Sequence, residues 1–187
     1  MAHTMNQEVF RPRAVARVES PKTKIIFVGS AMSFSDRILS VFRSEFPDYD
    51  FFRVAKTADV TVARKLHDDV QLVIFEGTKM QAALDDPQRL LDAVGSARIV
   101  FSLSDPSDAA RFLSARGGQT GFDNVGFLPL NGQMDVWISV MHLFLCGQCF
   151  VPQEVANALI DDHTPAASSE NVQASLTTRE WEVLHLV

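Results

Sequence analysis

VQLVIFEG, residues 70–77, is an apolar run closed by a carboxylate and a glycine. A strand with one solvated face alternates apolar and polar residues. A strand covered on both faces is apolar throughout, as Leu72, Val73, Ile74 and Phe75 are. The run therefore reads as a buried strand of a parallel sheet. KIIFVGS (24–30) and RIVFSLS (98–104) share its form, and YDFFRVA (49–55) and NVGFLPL (124–130) add two more strands.

Helical periodicity fills the gaps. In SFSDRILSVFRSEF (33–46), Ile38, Leu39, Phe42 and Phe46 share a face, and Ser33 or Ser35 is placed to cap it. DVTVARKLH (59–67) reads as a short helix, and MQAALDDPQRLLDAVG (80–95) as one helix ended by Gly95. PSDAARFLSARGG (106–118) has Pro106 in its first turn, and MDVWISVMHLFLCG (134–147) is apolar around much of its circumference. Five strands alternating with five helices predict an α/β fold. It is a doubly wound, five-stranded, flavodoxin-like parallel sheet joined by right-handed crossovers.

The expected organisation is a tail over 1–22, the α/β domain over 23–155, a linker over 156–175 and a further element from 176. The tail carries Arg11, Arg13 and Arg17 among few large apolar residues; the linker is small, polar and contains Pro165. With 187 residues, 47% hydrophobic and 21% charged, the composition is that of a globular protein. Lys plus Arg number 17 against 23 Asp plus Glu, so the net charge is −6, which argues against broad nucleic-acid binding by this chain. No apolar run approaches a membrane span and no signal peptide is legible, so the expected location is the cytoplasm.

Catalytic constellations are not legible, and no enzymatic activity, metal or cofactor is expected. CGQC (146–149) has redox or zinc spacing, but no second ligand pair exists and the motif ends a helix. The competing reading makes Cys146 and Cys149 small buried hydrophobes around a helix-ending glycine. The helix at 134–147 has more apolar residues than one stripe needs. Either other parts of the chain cover the excess, or Trp137, Met141 and Phe144 face a partner, a homodimer being the commonest kind.

SLTTREWEVLHLV (175–187) opens on a Thr-x-x-Glu capping box, Thr177 to Glu180. Leu176, Thr177, Arg179, Glu180, Glu182, Val183 and Leu184 resemble, position by position, the opening of a LuxR-type helix-turn-helix. The preceding α/β pattern, with GQCFVPQEV (147–155) after its last helix, resembles the receiver domain of NarL/FixJ-type response regulators.

The resemblance implies a DNA-binding transcription regulator, whose DNA-reading helix would lie beyond the truncated end of this chain. It also implies a phosphorylation pocket: an Asp after the third strand, two acids after the first, a Ser or Thr after the fourth and a Lys after the fifth. Here those places fall on Glu76, on Gly29 and Ser30, on Ser102 and on Leu130. Only Ser102 keeps its type. Without the acidic pair Mg²⁺ lacks ligands, and without Lys the phosphoryl charge lacks a cation. Glu76 is also one methylene longer than Asp, which displaces the reacting oxygen by about 1 Å.

Aspartyl phosphorylation is therefore expected to be lost, and control to run through dimerisation, a partner protein or a small ligand in the crevice. Glu76 reads either as an imitation of a phosphorylated Asp or as a relic at a solvated strand end. The alternative to a transcription regulator is a stand-alone interaction or ligand-sensing module.

Overall fold

The computed structural model describes residues 22–67, 69–117 and 121–163. The expected N-terminal tail and the helix-turn-helix opening, with Thr177, Arg179 and Glu180, lie outside them. The strands are β1 (Thr23–Val28), β2 (Tyr49–Val54), β3 (Val70–Phe75), β4 (Arg98–Leu103) and β5 (Gly126–Pro129). They form one sheet in the order β2-β1-β3-β4-β5, with every pairing parallel.

The helices are α1 (Asp36–Glu45), α2 (Thr57–Leu66), α3 (Met80–Asp85), α4 (Pro87–Val94), α5 (Pro106–Ala115), α6 (Met134–Leu145) and α7 (Gln153–His163). A 3-10 turn, Gly77–Lys79, joins β3 to α3. None of the helices among the described residues is long and apolar enough to cross a membrane.

Strand residues alternate between faces, so one apolar run feeds two cores. Ile25, Phe27, Leu72, Ile74, Val100 and Leu128 meet α1 and α6 on one side. Ile26, Val28, Val73, Phe75, Ile99, Phe101 and Phe127 meet α2 to α5 and α7 on the other. Aromatic stacking links the first core: the Phe42 ring lies 5.8 Å from Phe27, 5.6 Å from Phe51 and 6.2 Å from Trp137.

Local chemistry sets the helix ends. Ser35 caps α1, its Oγ accepting from the Ile38 amide at 3.3 Å. The single helix expected over 80–95 is two. Pro87 has no amide to continue α3, and Asp86 turns instead to cap α4 by accepting from the Arg89 amide at 3.2 Å. Gly95 ends α4 with φ 56°.

At the end of α6, Gly147 (φ 91°) donates to the Phe144 carbonyl and Gln148 to the Leu143 carbonyl, a Schellman closure. The chain then runs back beside β5, where the Phe127 amide donates to the Phe150 carbonyl at 2.8 Å. α7 packs on α5, with Val155 fully buried. Residues 156–163, assigned by composition to the linker, are thus helical.

The surface suggested for α6 is corrected here. Trp137, Met141 and Phe144 are 4%, 0% and 2% exposed, packed in the core with α1. These three residues are covered within the chain, because the large rings of α1 and β2 extend the core beyond the sheet, while Val136 and Leu143 of α6 stay exposed. The buried reading of the cysteines is corrected in the opposite sense: Cys146 and Cys149 are both exposed free thiols, since the Schellman turn carries the chain off the core.

Candidate functional site

The strand order reverses between β1 and β3, and their carboxyl ends form a crevice where open parallel sheets hold ligands. Gly29, Ser30 and Glu76 meet there. Two backbone bonds set the level of the strand ends: Glu76 donates its amide to the Val28 carbonyl at 2.9 Å, and Gly29 donates to the Val54 carbonyl at 3.0 Å.

The half-buried Glu76 side chain turns toward the β1–α1 loop. Its Oε1 accepts a hydrogen bond from Ser33 Oγ and lies 3.2 Å from Ser30 Oγ. Ser30 Oγ in turn accepts the Ser33 amide at 3.2 Å and lies 3.3 Å from Ser33 Oγ. A serine hydroxyl has one proton, so Ser30 donates either to Glu76 or to Ser33 at any moment. The arrangement ties the β1–α1 loop to the end of β3 through one carboxylate.

Ser33 is a site residue that the sequence reading treated only as a helix cap. The signal was the Ser-x-x-Ser spacing in VGSAMSFS (28–35), but a loop has no period from which to infer that both hydroxyls converge.

Gly29 has a steric reason to be glycine. A Cβ there would lie 2.9 Å from the Glu76 Cβ and 3.0 Å from the ring of Phe34, which is fully buried. The space in which an acidic side chain would stand is already filled. Gly77 is still tighter, since its Cβ would meet the Ser102 carbonyl oxygen at 2.5 Å.

Ser102 is fully buried, and its Oγ accepts the Gly77 amide at 3.1 Å. Its hydroxyl clamps the β3–α3 turn onto β4. Leu130 donates its amide to the Leu103 carbonyl at 2.7 Å and packs its side chain against the α1–α6 core. Among the described residues no Lys, Arg or His pairs with Glu76; the two ion pairs are Arg53–Asp36 and Arg111–Asp108.

Chemically, the crevice holds one carboxylate and two loop hydroxyls, and among the described residues no cation pairs with that carboxylate. Among the described residues no group of three or more His, Cys, Asp or Glu is placed to hold a metal ion. Further along the same edge, Asp105 starts α5. The Ser107 amide, 2.9 Å from its Oδ1, holds its carboxyl below the usual carboxylate range, helped by the Ser107 hydroxyl and Arg111.

No protein-family model matches the sequence, and no curated protein matches it. Solved structures do match in fold. A LuxR family DNA-binding response regulator from Silicibacter pomeroyi is 20% identical with a TM-score of 0.52, over 70% of this chain and 98% of that one. The RcsB response regulator of Salmonella typhimurium is 13% identical with a TM-score of 0.54, over 89% of this chain and 77% of that one. RcsB in an RcsB–DNA complex is 14% identical with a TM-score of 0.50, over 88% and 76%. At these identities the likeness is one of architecture: this chain has the receiver-like, flavodoxin-like α/β fold found in response regulators.

Proposed function

We propose that this chain is the regulatory half of a DNA-binding transcription regulator, and that its receiver-like domain works without an aspartyl phosphate. The observation that carries the second part is the state of the crevice. Glu76 is bound by the hydroxyls of the β1–α1 loop, Gly29 stands where a side chain would clash, and Leu130 turns into the core. Phosphoryl transfer depends on positioned charge, and none of the required positive charge contacts Glu76.

The first part rests on the seven-position resemblance of residues 176–184 to a LuxR-type helix-turn-helix. The fold likeness to a response regulator solved on DNA points the same way. In this reading DNA is the partner of the C-terminal module, and the regulator acts as a homodimer through a surface other than the buried face of α6.

The test is phosphotransfer. Incubation with acetyl phosphate and Mg²⁺, followed by intact mass and peptide mapping, is expected to add no phosphoryl group. Stable incorporation at Glu76 would overturn the reading.

A further inference from the structure

We propose that the cavity between the start of α2 and the α3–α4 pair binds a small phosphate-bearing ligand. This deepens the proposed function, since it names what acts where the phosphoryl group does not. It is read by direct binding, so its failure leaves the phosphotransfer result untouched.

The cavity has a volume of about 290 Å³. Lys56, Lys79 and Arg89 line it, with Thr57 at one wall and Leu90 beneath. In a chain of net charge −6, three cations around one cavity are a local reversal of sign. Among the described residues none of the three side chains has an ion pair or hydrogen bond.

The acids nearby form no ion pair with these cations. Asp86, also in the wall, accepts the Arg89 amide at 3.2 Å, and Asp59 accepts the Lys56 amide at 3.0 Å. Both carboxylates keep their charge while they cap backbone amides, so the wall carries three cations against one carboxylate, Asp86. Two lysines and a guanidinium suit a dianion with several acceptor oxygens, for which phosphate is the common chemistry. The volume is at the small end for ligand sites, which favours a compact phosphate ester or diphosphate over a dinucleotide.

The position also matters. Lys56 follows β2 and Lys79 follows β3, so both stand on the carboxyl edge of the sheet. The Lys79 amide donates to the Glu76 carbonyl at 2.8 Å. A ligand held by Lys79 therefore bears on the 3-10 turn that carries Glu76, and through Glu76 on the β1–α1 loop.

The experiment is calorimetric titration of the whole chain with inorganic pyrophosphate and with ribose 5-phosphate, with ribose and citrate as controls. Saturable binding of at least one phosphate compound is expected, with none of ribose and weaker binding of citrate. Lys79→Gln and Arg89→Gln should each weaken it about tenfold, while Lys65→Gln, on the last turn of α2, should leave it unchanged.

Absence of saturable phosphate binding would overturn the proposal. So would citrate of equal affinity, or an equal loss in Lys65→Gln, which would mean a diffuse field. Binding of duplex DNA through the same cations, without competition by pyrophosphate, would also overturn it. Should a variant fail to fold, pyrophosphate-induced amide shifts in the wild type decide: shifts at Ala58 and Ala82 support the site, and shifts elsewhere only reject it.

Discussion

Asp105 illustrates how one side chain both starts a helix and makes stability depend on pH. Its carboxylate accepts the Ser107 amide in the first turn of α5, and Pro106 between them needs no partner for an amide it lacks. The ionised form is favoured in the folded chain, so its pKa is depressed. A depressed carboxyl contributes stability above its unfolded value, about 3.9, and loses it as pH falls through the folded value. Asp105→Asn keeps a capping oxygen and removes only the charge. Its melting temperature should be slightly below wild type at pH 7, with the gap closing below about pH 4. A gap that stays constant from pH 7 to pH 3 would contradict this account. Ser102 belongs to the same scale: a single hydroxyl, matched by the resemblance to a phosphoryl contact, instead holds the Gly77 amide in the core.

Among the elements, α7 is the one that composition understated. Its first turn is seated by Pro152 and Val155, both buried, and it lies along α5. Val155 belongs to the cluster that includes Ala109 and Phe112 of α5. Val155→Asp would place a charge there without a partner, so α7 should leave α5 rather than carry it inward. The expected loss is about 2 kcal/mol, with new proteolytic cleavage confined to residues 150–163. Unfolding that stays fully cooperative, with no local cleavage, would show that α7 is integral to the core instead. The break between α3 and α4 is an element-scale finding too. Apolar periodicity runs through residues 80–95, but Pro87 removes an amide in the middle, and the backbone answers by starting a second helix.

For the whole molecule, two cores flank one sheet, and α6 covers the first together with α1. Trp137 stacks on Phe42, which also stacks on Phe27 and Phe51, so the ring joins α6, α1, β1 and β2. Trp137→Glu should therefore cost on the order of 4 kcal/mol, seen as a large fall in the urea midpoint. A variant as stable as wild type but altered in sedimentation would restore α6 as an interface. Among the described residues the Trp137 indole N–H is buried without a hydrogen-bond partner, a cost set against the burial of the large ring.

Strand count, strand identity and parallel pairing are legible in the sequence, because burial on both faces leaves runs such as Leu72 to Phe75 wholly apolar. So are the residue types at 29, 30, 76 and 130 on which the proposed loss of phosphorylation rests, because they are local facts. The course of the Glu76 side chain is not. Ser33 reaches it from 43 positions away, and only the pairing of β1 with β3 brings their ends together. Nor can periodicity tell whether an apolar helix face meets solvent, a partner or its own chain; the aromatic residues of α1 and β2 settled that for the Trp137 face of α6. The convergence of Lys56, Lys79 and Arg89 is of the same kind, since three separate segments meet only when the helices dock. The sequence by itself determined which strands are covered on both faces and which residue types stand at their carboxyl ends, because both are properties of neighbouring residues. Only the tertiary structure decided which side chains meet, because those contacts span segments far apart in the chain.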